Sequence, residues 1–214
     1  ADGRQAIPRL RFVTSHPWDL SDRLVAALAN CRSVCEHLHL PVQSGDDDVL
    51  RRMGRQYTIP AYLGLVERLR AAVPGISLTT DVIVGYPGET RADFEATLAL
   101  IRQVDFVDSF SFKYSPRPGT PGAELDGRVP EGVAQERLEA VQDLLRRQTL
   151  RYHRSRVGTR TEVLVAGSSR LQDFGFGVVN SKACERVNYR VGIGGQIKVT
   201  ATGLADLGFD VDVG

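Results

Sequence analysis

Strand-like and helix-like segments alternate along residues 9–153, and this alternation restricts the fold more than any other feature of the chain. Four segments are rich in strand-forming residues, and a helix-like segment with an apolar stripe follows each of them. The strand-like segments are RLRFVTS (9–15), EHLHLPV (36–42), ISLTTDVIVG (76–85) and DSFSFKYS (108–115). Strands that alternate with helices form a parallel sheet with crossover helices. The sequence therefore predicts an α/β domain, whose last helix runs from about Pro130 to His153.

The helix-like segments also predict which side chains are buried. Ser21 or Asp19 caps the first helix. Apolar stripes at helical spacing predict two further buried faces, one made by Leu63, Val66 and Leu69 and the other by Phe94, Leu98 and Ile101. PRPGTPGAEL, after the fourth strand, is predicted to be a loop.

After residue 157 the pattern changes to short β-rich segments separated by glycine. They read TRTEVLVAG, FGFGVVN, ERVNYRV, GQIKVTATG and FDVDV. No segment of helical length lies between them, which predicts a small antiparallel β-barrel or sandwich of roughly 55 residues. The boundary is expected near Arg156–Thr159, giving two domains, 1–155 and 156–214.

Composition excludes several classes of function. Hydrophobic residues make up 42% and charged residues 25%, which is typical of a globular protein with a buried core. The net charge of +1 predicts no nucleic-acid or membrane partner for the chain as a whole, so any such signal must be local. No apolar run approaches the roughly 18 residues that span a membrane. The three cysteines favour reduced thiols in a cytoplasmic protein.

The N-terminus ADGRQAIPRLRFV has neither an apolar signal region nor a start methionine, so we expect a fragment of a longer chain. Each predicted strand ends in a polar or glycine-rich stretch: TSHP, PVQSG, VGYPGE and YSPRPG. Ligands of parallel α/β folds bind at the carboxyl ends of the strands. Four such ends predict a ligand site there, although each stretch alone is equally compatible with a plain turn.

Residues 31–45, CRSVCEHLHLPVQSG, resemble a metal site at first sight. An iron–sulfur loop of the C-x3-C-x2-C type needs three thiolates. Cys31 and Cys35 supply the first interval, but the third position is Leu38. The sequence therefore disfavours an iron–sulfur cluster in this segment.

A zinc site is the second interpretation of this segment, with four candidate ligands: Cys31, Cys35, His37 and His39. Strand alternation favours a third interpretation. It places Leu38, Leu40 and Val42 on a face that packs against helices, and His37, His39 and Gln43 on a polar face toward a ligand. The two cysteines are then small, buried or half-buried side chains.

A local basic cluster lies at the end of the long helix. Between Leu144 and Thr161 there are six arginines and no Asp or Glu. Such a run beside a small β domain is typical of an RNA phosphate track, with Tyr152 and His153 available for stacking. The alternative is a basic, solvated helix end, which the helix dipole also favours.

Longer motifs carry a family resemblance. LHLPVQSG, RMGRQYT, TTDVIVGYPGET and FSFKYSPRPGTP occur in this order. Their order and spacing resemble the methylthiotransferase family of radical-SAM enzymes, in particular its MiaB branch, the tRNA 2-methylthio-N6-isopentenyladenosine synthases. The resemblance covers about residues 9–150. The last domain resembles the family's RNA-binding TRAM module more weakly, because LQDFGFGVV departs from the pattern.

The resemblance implies a fold and an activity. The fold would be the later half of a partial (β/α) barrel, strands 3 to 6, followed by a small all-β TRAM-like barrel. The activity would be transfer of a methylthio group to C2 of N6-isopentenyladenosine next to the tRNA anticodon. The family uses S-adenosyl-L-methionine and two 4Fe-4S clusters, acts on tRNA, and takes electrons from a flavodoxin or ferredoxin. A cytoplasmic location without a membrane follows.

The chain departs from the family in its cluster ligands. The family has an N-terminal domain with three cluster cysteines and a C-x3-C-x2-C loop on the first strand, and neither is present in these residues. No residue is therefore assigned to a metal or to catalysis, and we expect the chain alone to be unable to make the radical. A catalytically inactive RNA-binding remnant is the alternative function.

The resemblance also implies site residues. The candidate contacts to S-adenosylmethionine are Gln43, Ser44, Asp81, Ile83, Gly85, Tyr114 and Arg117. Ser44 is equally placed to cap the next helix. Arg117 is suited either to the methionyl carboxylate or to an RNA phosphate. The candidate RNA contacts are Arg146, Arg147, Arg151, Arg154 and Arg156.

Overall fold

The computed structural model describes residues 10–11 and 16–157, together with the backbone of residues 163–168, 176–180 and 186–187. Three strands form a parallel sheet in the order β1 (His37–His39), β2 (Ser77–Val84) and β3 (Asp108–Lys113). Leu38 pairs with Leu78, and Asp81 pairs with Phe110. The predicted parallel α/β arrangement is confirmed for this part of the chain.

The first predicted strand is described only at its start. Leu10 forms a parallel bridge with Val34, and its carbonyl accepts a hydrogen bond from the Cys35 N–H at 3.0 Å. Residues 12–15 lie outside the described residues. Leu10 therefore lies beside the segment that leads into β1, on the side away from β2.

Helices connect the strands and cover one face of the sheet. The helices that precede residue 125 are α1 (Asp22–Asn30), α2 (Asp47–Arg52), α3 (Ile59–Ala72), α4 (Arg91–Val104) and α5 (Pro121–Glu124). The long helix α6 (Glu131–Arg156) follows them and packs against β3 and α4. In the described part of the chain, none of the helices is both long and apolar enough to cross a membrane.

The helix starts follow from capping side chains. The Ser21 hydroxyl accepts a hydrogen bond from the Leu24 N–H, which confirms Ser21 as the cap of α1. Thr90 and Asp93 form a capping box at the start of α4. The helix α5 corrects the sequence prediction, which made PRPGTPGAEL a loop. A proline at the first position favours this helical turn, and four residues are too few for an apolar stripe.

The core lies between the sheet and the helices. Leu38, Leu40 and Val42 are fully buried there, as strand alternation predicted. Phe94, Leu98 and Ile101 are also buried. On α3, Val66 and Leu69 are buried as predicted, whereas Leu63 packs against the core but is only half-buried. Tyr62 is also buried, and its hydroxyl donates to the Leu40 carbonyl at 2.8 Å.

The C-terminal strands form a separate antiparallel sheet in the order β4 (Val163–Ser168), β5 (Phe176–Asn180) and β6 (Arg186–Val187). Antiparallel pairing agrees with the β-rich pattern of the sequence. The segments GQIKVTATG and FDVDV lie outside the described residues, so the TRAM-like barrel stays a prediction. The division into 1–155 and 156–214 likewise stays a prediction.

Candidate functional site

A cavity of about 940 Å³ opens at the carboxyl edge of the parallel sheet. Residues from the ends of all three strands line it, together with the loop after α2 and the start of α5. Five of the seven predicted cofactor contacts are among its described lining residues: Gln43, Asp81, Ile83, Tyr114 and Arg117. These five residues therefore share one cavity, and their contact with a cofactor stays a prediction.

Gln43, which lines this cavity, has an unusual backbone conformation. Its φ is +68°, a left-handed conformation that few non-glycine residues adopt. Two hydrogen bonds hold it: its N–H donates to the Asp81 carbonyl at 2.8 Å, and its carbonyl accepts from the Ile83 N–H at 2.9 Å. Conformations of this kind cost on the order of 1–3 kcal/mol and are concentrated at functional sites. The buried Gln43 is thus held firmly beside Asp81 and Ile83.

A polar row extends from the cavity along the same face of the sheet. His39 Nε2 lies 3.3 Å from Asp81 Oδ1, and His39 Nδ1 lies 3.0 Å from the Thr79 hydroxyl. His37 continues the row and is buried. Burial, followed by the nearby charge of Arg11 and by His39, lowers the pKa of His37 to about 3. His37 is therefore neutral at physiological pH, and the acidic group that this row presents to the cavity is Asp81.

Aromatic side chains form one wall of the cavity. Tyr86 and Tyr114 meet edge to face with ring centroids 4.8 Å apart, and Phe112 lies beside them in the lining. The Tyr114 hydroxyl is buried and has no hydrogen-bond partner among the described residues; the same is true of Arg55 Nε. Buried polar atoms are nearly always hydrogen-bonded, so two unpartnered groups in one cavity lining fit a bound polar ligand.

Positive charge dominates the rim, and sequence reasoning missed most of it. The described lining contains five cationic side chains: Arg51, Arg52, Arg55, Lys113 and Arg117. Only Arg117 was predicted to belong to the site. The motif RRMGR at the end of α2 could have indicated three of these cations, because a basic cluster that follows a strand-end loop lies at the carboxyl edge of the sheet.

Ser44 and Gly85 do not line the cavity. The Ser44 hydroxyl lies 3.4 Å from the Thr97 hydroxyl of α4, and a Cβ at Gly85 would lie 2.9 Å from Ala134 Cβ of α6. Both residues thus pack against helices. The alternative that Ser44 caps α2 is wrong, because the cap is Asp46, whose carboxylate accepts from the N–H groups of Asp48 and Val49 at 2.9 Å.

The cysteines do not form a metal site in the described structure. Cys35 is buried, but Cys31 is exposed, which corrects the expectation that both are at least half-buried. Within residues 10–11 and 16–157, no three His, Cys, Asp or Glu side chains lie close enough together to hold a metal ion. The Cys, His, Asp and Glu side chains of this part of the chain therefore do not supply the ligands of an iron–sulfur cluster.

Four of the five candidate arginines on α6 are exposed and Arg156 is half-buried, and several of the five are paired. Arg146 and Arg147 both contact Asp143, and Arg151 contacts Asp105. Asp143 directly precedes the acid-free residues 144–161, and Asp105 comes from the end of α4, so less positive charge is available than the sequence indicated. Arg154 and Arg156 lie in the last turn of α6. The RNA-binding role of these arginines stays a prediction.

Tyr152 contributes to packing at the end of α6. It is half-buried, and its hydroxyl lies 3.2 Å from the Ser77 hydroxyl at the start of β2. His153 is exposed, with its ring centroid 6.0 Å from that of Tyr152. Of the two residues expected to stack on RNA bases, His153 is therefore the more accessible.

Comparison with known proteins agrees with this architecture. Residues 3–101 match the model of the radical SAM superfamily. The fold is similar to that of the radical SAM enzyme coproporphyrinogen III oxidase from Escherichia coli, with a TM-score of 0.54 at 17% identity over 65% of this chain and 32% of that one. These two comparisons confirm the predicted radical-SAM α/β fold.

Curated relatives are much closer in sequence. The chain is 46% identical over 167 residues to tRNA-2-methylthio-N(6)-dimethylallyladenosine synthase 1 of Mycobacterium marinum, which covers 78% of this chain and 32% of the relative. It is 50% identical over 160 residues to the synthase of Mycobacterium ulcerans, covering 75% and 30% of the two chains. The chain spans about a third of the length of these relatives. The resemblance inferred from the motifs is confirmed.

Proposed function

We propose that this chain, which belongs to the methylthiotransferase family of radical SAM enzymes, acts in a tRNA methylthiotransferase. The reaction is transfer of a methylthio group to C2 of N6-isopentenyladenosine next to the anticodon. The names of the relatives and the radical-SAM fold support this proposal. The observation that carries it furthest is the cavity at the carboxyl edge of the sheet, lined by the residues that the family motifs point to.

The family's cofactors are S-adenosylmethionine and 4Fe-4S clusters, and together they supply a 5′-deoxyadenosyl radical when bound. The 214 residues contain no C-x3-C-x2-C spacing. The role of this chain's own residues is therefore to bind and orient S-adenosylmethionine and the RNA.

Four residues of the cavity fit S-adenosylmethionine. Asp81, held by His39, offers a carboxylate to the ammonium or sulfonium group. Gln43 and the unpartnered Tyr114 hydroxyl offer hydrogen bonds to ribose or carboxylate oxygens. Ile83, between them on the sheet, offers an apolar surface to the adenine. Each of the three strand ends thus supplies at least one contact, as is usual for ligands of parallel α/β folds.

The remaining parts of the proposal concern partners and location. The RNA partner is tRNA at its anticodon stem-loop, in agreement with the tRNA-modifying activity in the relatives' names. The arginines at the end of α6 supply phosphate contacts from the side of the C-terminal strands. The electron donor is a flavodoxin or ferredoxin, and the enzyme acts in the cytoplasm.

Titration of the chain with S-adenosylmethionine tests the cavity assignment. We expect binding by calorimetry, and an affinity about tenfold lower for Asp81→Asn, because a charge-assisted hydrogen bond is lost. Asp108→Asn is the matched control, since this exposed aspartate lies at the opposite end of β3 and makes the same change from carboxylate to amide. Equal affinities of the wild type and Asp81→Asn contradict the assignment.

A further inference from the structure

We propose that Arg55 and Arg117 form a phosphate site for the substrate RNA at the mouth of the cavity, apart from the arginine run on α6. The inference rests on the proposed function, because it takes RNA as the substrate. It also assigns Arg117 to a phosphate of the RNA. The sequence alone is equally compatible with contact to the carboxylate of the cofactor.

Three of the five rim cations are already neutralised. Arg51 contacts Asp48 at 2.6 Å, and Arg52 lies 3.6 Å from Asp93. Lys113 pairs with Glu131. Neither Arg55 nor Arg117 has a carboxylate partner within the described part of the chain. The positive charge that remains at the mouth therefore comes from these two arginines.

Arg55 is held in place by the end of α2. The Arg55 N–H donates to the Leu50 carbonyl at 2.9 Å, and the Gly54 N–H donates to the Arg51 carbonyl at 3.0 Å. With Gly54 at φ +71°, this pair of bonds is a Schellman motif, which fixes where the chain leaves the helix. Arg55 Nε is buried without a partner. A buried guanidinium nitrogen with a free N–H, on a fixed backbone, is suited to an anionic oxygen.

Arg117 is held by a turn at the start of the loop after β3. Its carbonyl accepts from the Thr120 N–H at 3.2 Å and from the Thr120 hydroxyl at 2.7 Å. Gly119 allows this turn with a φ of +80°. The Arg117 side chain is exposed and lines the same cavity as Arg55. Arg55 and Arg117 thus line one cavity from two different loops.

The charge distribution favours RNA over the cofactor at this position. S-adenosylmethionine carries a sulfonium, an ammonium and a carboxylate, so its net charge near neutral pH is positive. Asp81 suits that charge, and it lies within β2 opposite Phe110. The end of β3 at Lys113 is three residues further, about 10 Å at roughly 3.3 Å per residue, and Arg117 follows it. The cavity thus has an acidic inner part for the cofactor and a cationic mouth for a polyanion.

The test is equilibrium binding of a fluorescent anticodon stem-loop RNA to the chain across a salt series. For Arg55→Gln with Arg117→Gln we expect an RNA affinity about tenfold lower than that of the wild type. The slope of log affinity against log salt becomes shallower by about 1.4 to 1.8, as two phosphate contacts predict. Arg117→Gln alone, on an exposed loop that leaves the core intact, shows about half of the slope change.

The matched control is Arg91→Gln with Arg102→Gln, which removes the same charge from exposed positions on α4. An equal loss of RNA affinity in both double variants contradicts the proposal, since only total charge then matters. Loss of S-adenosylmethionine affinity with unchanged RNA affinity also overturns it, and assigns the arginines to the cofactor's carboxylate. If the wild type binds S-adenosylmethionine but no RNA at low salt, the RNA part of the proposed function fails together with this site.

Discussion

Replacing Arg137 with alanine lowers the free energy of unfolding by about 3–5 kcal/mol, because it leaves the charge of Glu89 buried without its partner. Arg137 on α6 donates to the Glu89 carboxylate at 2.5 Å and to the Glu89 carbonyl at 3.1 Å. The same carboxylate accepts from the Gly85 N–H at 3.1 Å. The pair therefore ties α6 to the VGYPGE corner at the edge of the candidate site, and urea unfolding followed by circular dichroism measures its contribution.

The effect of pH distinguishes an unpaired charge from lost packing. Burial raises the pKa of Glu89, while the Gly85 N–H and Arg137 oppose that rise. Without Arg137 the pKa rises further, so the folded variant takes up a proton more readily than the unfolded chain. Its deficit in stability must then shrink as the pH falls through that raised pKa. A deficit that is constant with pH would mean that only packing over Phe94 was lost.

Two further variants serve as controls for the buried pair. Arg91→Ala breaks an exposed pair with Glu95 at 4.0 Å and should cost no more than about 0.5 kcal/mol. Glu89→Gln combined with Arg137→Met removes both charges and should recover part of the loss. A double variant that is as unstable as Arg137→Ala contradicts the buried-charge explanation.

Replacing Gly45 with alanine destabilises the fold by about 1–3 kcal/mol or more, because α4 leaves no room for a methyl group. An added Cβ would lie 2.4 Å from Thr97 Cα and 2.7 Å from the Ala96 carbonyl oxygen, and backbone atoms cannot rotate away. The Gly45 N–H also donates to the Thr97 hydroxyl at 2.9 Å. Since Gln43 lies two residues before this contact, we expect Gly45→Ala to weaken S-adenosylmethionine binding as well.

Gly64→Ala is the matched control for this substitution. Gly64 lies inside α3, and nothing lies within 4 Å of the position where its Cβ would be. Alanine should therefore raise the stability by about 0.5–1 kcal/mol through helix propensity. Thermal unfolding measures both variants under identical conditions. A loss at Gly64 similar to that at Gly45 would show that close contact with α4 is not the cause.

The sequence predicted most of the α/β fold because its signals are local. Two-residue alternation placed Leu38, Leu40 and Val42 against the helices and the histidines on the other face, and the structure agrees. Apolar periodicity did not predict the burial of Tyr62, because this side chain is held by a hydrogen bond to the Leu40 carbonyl, while Leu63 packs only partly against the core.

The candidate site depends on more than strand alternation. Alternation placed Asp81, Ile83 and Gly85 on one face of β2, and Asp81 and Ile83 line the cavity together with Gln43, while their contact with a cofactor stays a prediction. Gly85 does not line the cavity, because its φ is positive and it packs against α6. Ser44, which the family resemblance suggested, packs against α4, on the helix-facing side that alternation gives it. Arg55 was missed for another reason: its position depends on how α2 ends, and that end is fixed by Gly54 and the two hydrogen bonds around it.

The most direct measurement replaces the matching segment of the Mycobacterium marinum synthase with this chain's residues and analyses the nucleosides of tRNA by mass spectrometry. The two sequences are 46% identical over 167 residues, so the segment has a defined counterpart. If this chain's residues bind S-adenosylmethionine and the RNA as proposed, tRNA from cells carrying the chimera contains the 2-methylthio derivative of N6-isopentenyladenosine. A folded chimera with its iron–sulfur clusters loaded that leaves only the unmodified N6-isopentenyladenosine would contradict the account.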